Sequence, residues 1–381
     1  MLEFDVDYSL PFWYHVDKDN PAVLLRLGDC FAGGEEVPRD LTQAQRCYLA
    51  ALEKENFVAA HRLSQFIFDG VPLIGEVRGW MAEGLDKDDP LAIGLWVVEQ
   101  LTLIARQGLA EESEREERLS ELLNMVLATE NEDALLMAAR AFAGDDEPLD
   151  PLKGLQCALA ACEQGNDAAL TFLALNLFDF MRDDPATAPM ITRLLAKTAP
   201  TNAVAAYRYA QCLDQGFGVE KNQAEAVRWL EKAANGGFAP AAFALGWAYD
   251  LGEGVEKNTY EAVRWYSVGA EGGHLASMYA LGIAHLTGEG CSKSIDLARR
   301  WLQEAAEKGN VDAMLAMAHV ALIDETGPEA QVQAFTWLRR AAEHGNKGAM
   351  ELLSSCYLEG VGCERDPLLA EVWARKAKGQ I

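Results

Sequence analysis

The chain has no run of 18 or more apolar residues, so no part of it is expected to cross a membrane as a helix. Its opening, Met1-Leu2-Glu3-Phe4-Asp5-Val6-Asp7, lacks the basic and apolar regions of a secretory signal. Positive charge is scarce: 33 Lys and Arg face 59 Asp and Glu, a formal net charge of −26. The deficit is uneven, 16 against 36 over residues 1–200 and 17 against 23 over 201–381. A field of that sign repels phosphate, which disfavours nucleic acid and anionic membranes as partners. A basic protein or peptide is the better electrostatic match, unless the charge serves solubility alone.

Chemistry-bearing patterns are also missing. The eight cysteines (30, 47, 157, 162, 212, 291, 356, 363) show no paired spacing, which points to a reduced, cytoplasmic chain. Cys157 and Cys162 read as packing residues on a helix. Cys291 and Cys363 share the repeat position of Val219 and Val255 and read as small buried hydrophobes, too far apart to bridge each other. His274, His285, His319 and His344 fall at different repeat positions with no i,i+4 pair, so no zinc site is expected. Asp86-Lys87-Asp88-Asp89-Pro90 lacks the glycine and terminal glutamate of a calcium loop. No G-x-S-x-G element or nucleophile–base spacing is visible. No catalytic residue, metal or cofactor is therefore expected, and the only room for an enzyme is the irregular stretch 72–200.

What is present is a period. Trp229, Trp265, Trp301, Trp337 and Trp373 stand 36 residues apart, each three residues after an alanine (Ala226, Ala262, Ala298, Ala334, Ala370). A fixed period of this length means stacked supersecondary units, each covering its neighbour's apolar face. Each unit begins with a helix A, best seen in Ala241…Leu245-Gly246…Tyr249. Helix A ends at a G-x-G turn: Gly216–Gly218, Gly252–Gly254, Gly288–Gly290 and Gly360–Gly362. These turns lack the following Lys-Ser/Thr of a phosphate cradle. Helix B then opens with caps at Asn222, Asn258, Ser294 and Asp366-Pro367 and stops at Gly237, Gly273, Gly309 and Gly345, positions suited to left-handed backbone. Small residues at Gly246, Gly282, Ala318 and Ser354 bring helices A and B together. All five period tryptophans are expected in the core.

The period reaches back: Leu63, Ser64, Ile67 and Gly70 repeat Leu27, Gly28, Phe31 and Gly34. From about 72 to 132 the register is lost although helical spacing persists at Ile93, Val97, Leu101 and Ile104. The run Glu111–Arg118 offers Glu111–Arg115 and Glu114–Arg118 pairs at i,i+4 on a solvated helix start. This divides the chain into an N-terminal capping segment, 1–21, with Pro11-Phe12-Trp13-Tyr14; divergent acidic helical repeats, 22–200; and five regular 36-residue repeats, 201–381.

With these residues in view, the array resembles the Sel-one-like repeat (SLR) family, relatives of the tetratricopeptide repeat. Residues 241–273 follow its pattern through Leu245-Gly246, Tyr249, Gly252, Gly254-Val255, Ala262, Trp265, Ala270 and Gly273. The fourth repeat departs from it, with Asp324-Glu325-Thr326-Gly327-Pro328 in place of the G-x-G turn, so a differently shaped loop is expected there. The resemblance implies an all-α, right-handed solenoid superhelix of stacked antiparallel helix pairs. It also implies a non-catalytic scaffold or adaptor that holds a partner protein; in bacteria, an immunity protein masking a basic effector or toxin is the sharper variant.

By that likeness, the third, seventh and eleventh positions of helix A line the inner, concave surface. They read Tyr207, Gln211, Gln215; Phe243, Trp247, Leu251; Tyr279, Ile283, Thr287; Leu315, His319, Ile323; and Glu351, Ser355, Glu359. The candidate partner-binding residues are Tyr207, Phe243, Trp247, Tyr279, Ile283, Leu315 and His319, a surface too apolar for an idle solvated face. The alternative is that tight superhelical packing buries them against neighbouring helices.

Overall fold

The computed structural model describes residues 20–107, 112–144, 149–181, 186–324 and 327–379. The aromatic cluster at 11–14 and residues 325–326 of the stretch that replaces the fourth G-x-G turn lie outside the described residues. Among the described residues the chain forms twenty α-helices and no strand, an all-helical solenoid, and it divides into two compact units at residues 180 and 181.

In the first unit the helices are α1 (Pro21–Gly33), α2 (Leu41–Leu52), α3 (Val58–Phe68), α4 (Gly75–Asp86), α5 (Pro90–Gln107), α6 (Glu112–Leu127), α7 (Glu132–Ala143), α8 (Pro151–Glu163) and α9 (Asp167–Met181). The loss of period near 72–132 has a structural cause. Helix α5 packs against α3, α4, α6 and α7 rather than against a single partner. That central position explains its apolar faces, with Leu95, Val97, Val98 and Leu101 all fully buried. Of the ion pairs expected in the 111–118 run, Glu114–Arg118 is replaced: Arg118 pairs with Glu121 at 2.8 Å and lies over the Trp96 ring, and Arg115 donates to the Leu149 carbonyl. Residue 111 lies outside the described residues. The partner of Arg118 is still local, at i,i+3 rather than i,i+4; such surface pairs are worth only a few tenths of a kcal/mol, so contact with Trp96 of α5 can decide between them.

The second unit opens with α10 (Ala188–Thr198) and continues as five A/B pairs: α11 (Ala203–Gln215) with α12 (Gln223–Asn235), α13 (Ala239–Leu251) with α14 (Thr259–Glu271), α15 (Leu275–Thr287) with α16 (Ile295–Glu307), α17 (Val311–Asp324) with α18 (Pro328–Glu343), and α19 (Lys347–Glu359) with α20 (Pro367–Ala377). Each helix packs on the next. The starts of helix B are capped by side chains: Asn222 accepts from the Glu225 amide, Asn258 from Glu261, Ser294 from Leu297, and Asp366 from Leu368 and Leu369. Gly246 lies under the Tyr266 ring and Gly282 under Leu302, where any Cβ would come within 2.6 Å of the neighbour. A continuous core of Met278, Leu281, Leu302, Met314, Val320, Leu338 and Leu353 runs through the later repeats. In the fourth repeat α18 starts at Pro328, three positions ahead of the register that α12, α14 and α16 share.

The expectation that all five period tryptophans are core needs correction. Trp265 is 5% exposed, but Trp229, Trp301, Trp337 and Trp373 are only half-buried. Part of each of these four rings reaches the surface. There a cation of the same helix covers it: Lys232 on Trp229, Arg300 on Trp301, Arg340 on Trp337 and Lys376 on Trp373, with Arg264 on Trp265 as well.

Candidate functional site: a groove between α11 and α13

Helices α11 and α13 have the same length and the same left-handed glycine stop, so their side chains stay in register. Asn202 caps α11 by accepting from the Ala205 amide, and Gly216 stops it with φ +75°; α13 stops at Gly252 with φ +82°. Residues three and four apart then share a face. From α11 this face presents Tyr207, Gln211 and Gln215, and from α13 Phe243 and Trp247. Helix α12 closes the back with Ala226, Val227 and Leu230. Together they line a pocket of about 400 Å³, completed by Ala210, Asp214, Gln223, Ala244, Ala248 and Glu253.

The aromatic walls are braced. The Tyr207 ring packs on Phe238 with centroids 5.2 Å apart, and its hydroxyl accepts from Gln211 Nε2 at 3.2 Å. Phe243 is wedged among Trp247, Tyr266 and His274 at centroid distances of 6.2, 5.8 and 5.2 Å. Trp247 itself remains 50% exposed. Thus the structure brings Tyr207, Phe243 and Trp247 to one pocket. It does not bring the other candidates there. Tyr279, Ile283 and Leu315 are half-buried and pack against the core of the later repeats, whereas His319 is exposed.

Sequence reasoning missed the back wall, Val227 and Leu230, and the carboxylates Asp214 and Glu253. The signal was in the register: Leu230 aligns with Tyr266, and Gln211 with Trp247. One repeat on, both positions carry bulkier rings, and Tyr266 fills the space over Gly246.

No Lys or Arg lines the pocket. Asp214 accepts from Gln223 Nε2 at 2.9 Å. Burial pushes the Tyr266 and Tyr279 hydroxyls up, Tyr279 with help from Asp312, so both stay neutral. His274, behind Phe243, is pushed below its usual value by burial, and its Nδ1 lies 3.0 Å from Ser277 Oγ. A histidine whose folded pKa is lowered contributes stability that is fully present above its unfolded pKa and lost as pH falls from there through the lower folded value. The unfolding midpoint is therefore expected to drop between about pH 7.5 and about pH 5.5. Asparagine stands at the same repeat position as 202, 310 and 346, where it caps helix A. His274→Asn should narrow the difference between the two midpoints; an unchanged difference would remove His274 as its source.

Elsewhere, Cys157 is fully buried and Cys162 half-buried. Cys291 and Cys363 are half-buried rather than buried, because the turn after helix A lies at the surface; Cys291 Sγ sits 3.5 Å from His285 Nδ1. Among the described residues no group of three or more His, Cys, Asp or Glu is placed to hold a metal ion. No described helix is long and apolar enough to cross a membrane.

The Sel1 repeat family model matches residues 21–56, 133–166, 203–238, 239–274, 275–310, 311–346 and 348–379. The match at 133–166 falls in the part whose repeats are hard to see by eye. A protective antigen of uropathogenic Escherichia coli with an SLR fold is 22% identical, with a TM-score of 0.61 over 96% of this chain and 78% of that one. A Sel1 repeat protein from Oxalobacter formigenes is 30% identical over 56% of this chain and 83% of that one, with a TM-score of 0.49. An immunity protein from Pseudomonas aeruginosa is 16% identical over 56% of this chain and 81% of that one, with a TM-score of 0.35. No relative is found among curated proteins.

Proposed function

Because the chain belongs to the Sel1 repeat family, whose members typically mediate protein–protein interaction, we propose that it is a non-catalytic adaptor that seats a partner protein on the helix A faces of its second unit. The observation that carries this reading is the open, aromatic-walled pocket between α11 and α13, with Trp247 half-exposed at its rim. Partly exposed aromatics beside a preformed pocket are the usual anchors of protein interfaces. Tyr207, Phe243 and Trp247 would form the centre. Tyr279, Ile283, Leu315 and His319 would extend the contact along the later repeats.

The net charge of −26 supports a basic partner, whose approach it would accelerate. A sharper form, in which the protein masks a basic enzyme in the cytoplasm as an immunity factor, rests on that charge. The adaptor reading is tested by affinity capture from native lysate with the parent and with Phe243→Ala plus Trp247→Ala. Loss of two anchors should weaken a specific partner by about 30-fold or more, while circular dichroism stays unchanged. A folded variant that captures the same protein equally well places the interface elsewhere. For a charge-steered partner, the association rate should fall steeply as salt rises.

A further inference from the structure

We propose that the α11–α13 pocket is a seat for one lysine or arginine side chain of a partner protein, with the cation held by the Trp247 ring and the Asp214 and Glu253 carboxylates. This rests on the adaptor reading above and adds the chemistry of the occupant. The chain already shows what its tryptophans attract. Each of the five period tryptophans carries a cation of its own helix, from 4.4 Å for Lys376 on Trp373 to 5.5 Å for Arg300 on Trp301. Trp247 is half-exposed, and among the described residues no Lys or Arg lies on its ring.

The charged residues that line the same pocket are both acidic, and among the described residues neither forms an ion pair. Gln223 fixes Asp214 through one carboxylate oxygen, which leaves the other for a ligand. The remaining wall, Tyr207, Leu230 and Phe243, suits the methylene stem of a long cationic side chain, whose head group stays with the polar rim. A purely aliphatic occupant would strip water from two carboxylates without pairing them, which is costly. A cation satisfies the ring and the carboxylates together.

The test is a random peptide library displayed on phage and selected against the intact protein, with Trp247→Ala as the counter-selection. That substitution leaves the net charge unchanged, so peptides held by the acidic surface at large are discarded. Pocket-dependent peptides are expected to share a Lys or Arg. Replacing it by norleucine, or an arginine by citrulline, should weaken binding about tenfold. Asp214→Asn with Glu253→Gln should weaken the same peptides while circular dichroism stays unchanged. Pocket-dependent peptides that are anchored by apolar residues and indifferent to these changes would overturn the cation seat and leave the adaptor groove standing. A selection in which no peptide depends on Trp247 would overturn both.

Discussion

Gly254→Ala is expected to destabilise the second unit by roughly 3 kcal/mol, from two costs that act together. Gly254 has φ +70°, a conformation in which a Cβ crowds its own carbonyl and costs about 1–2 kcal/mol. In addition, a Cβ there would lie 2.3 Å from the carbonyl oxygen of Gln223, the first residue of α12. Backbone at a capped helix start cannot swing aside as a flexible side chain would, so the turn or the helix must shift, which typically costs about 1–3 kcal/mol. Gly273→Ala is the matched control: φ is +83° but nothing lies within 4 Å, so only the first cost applies, about 1 kcal/mol. Urea unfolding followed by tryptophan fluorescence would rank them. Equal midpoints would mean that the approach of the turn to the preceding helix B contributes nothing to the stacking of repeats.

Trp265→Ala should be comparably severe, roughly 3–5 kcal/mol. The ring is 5% exposed and packs into a cluster made mostly of alanine: Ala199, Ala206, Ala233, Ala234, Ala241 and Ala242, with Leu245. Alanines have no side chain long enough to relax into the space, so most of the cavity remains open. Arg264, 5.1 Å from the ring, would also lose its partner. Trp301→Ala and Trp337→Ala remove half-buried rings and should cost about half as much. Equal losses at all five period positions would contradict the difference in burial between Trp265 and the other four rings.

Much of this was legible because repetition averages out local noise. The 36-residue spacing, the caps at Asn222, Asn258, Ser294 and Asp366, and the left-handed glycines at 237, 273, 309 and 345 follow from local backbone chemistry, which sequence records directly. The second glycine of each G-x-G turn was legible only as a turn residue. At 254, 290 and 362 it is also the point where one repeat touches the previous helix B, and at 218 the point where the first repeat touches α10, a tertiary contact that no local rule contains. The exposure of four period tryptophans was hidden for the same reason: spacing locates a ring on a helix but does not reveal what covers its outer edge.

The site divides similarly. That 207, 243 and 247 share a helix face follows from 100° per residue. That a pocket opens beside them depends on Leu230 and Gln211 being smaller than Tyr266 and Trp247 one repeat later, which becomes visible only once the helix B positions are aligned as carefully as those of helix A. The loss of register at 72–132 came from α5 taking several partners, a topology that periodicity cannot encode.

The most direct test of the account is hydroxyl-radical footprinting of the protein with and without its captured partner. Two exposed aromatics report on the two surfaces: Trp247 at the groove, 50% exposed, and Tyr260 on helix B, 69% exposed. The account predicts that the partner slows oxidation of Trp247 and leaves Tyr260 unchanged. Protection of Tyr260, with Trp247 as reactive as in the free protein, would contradict it.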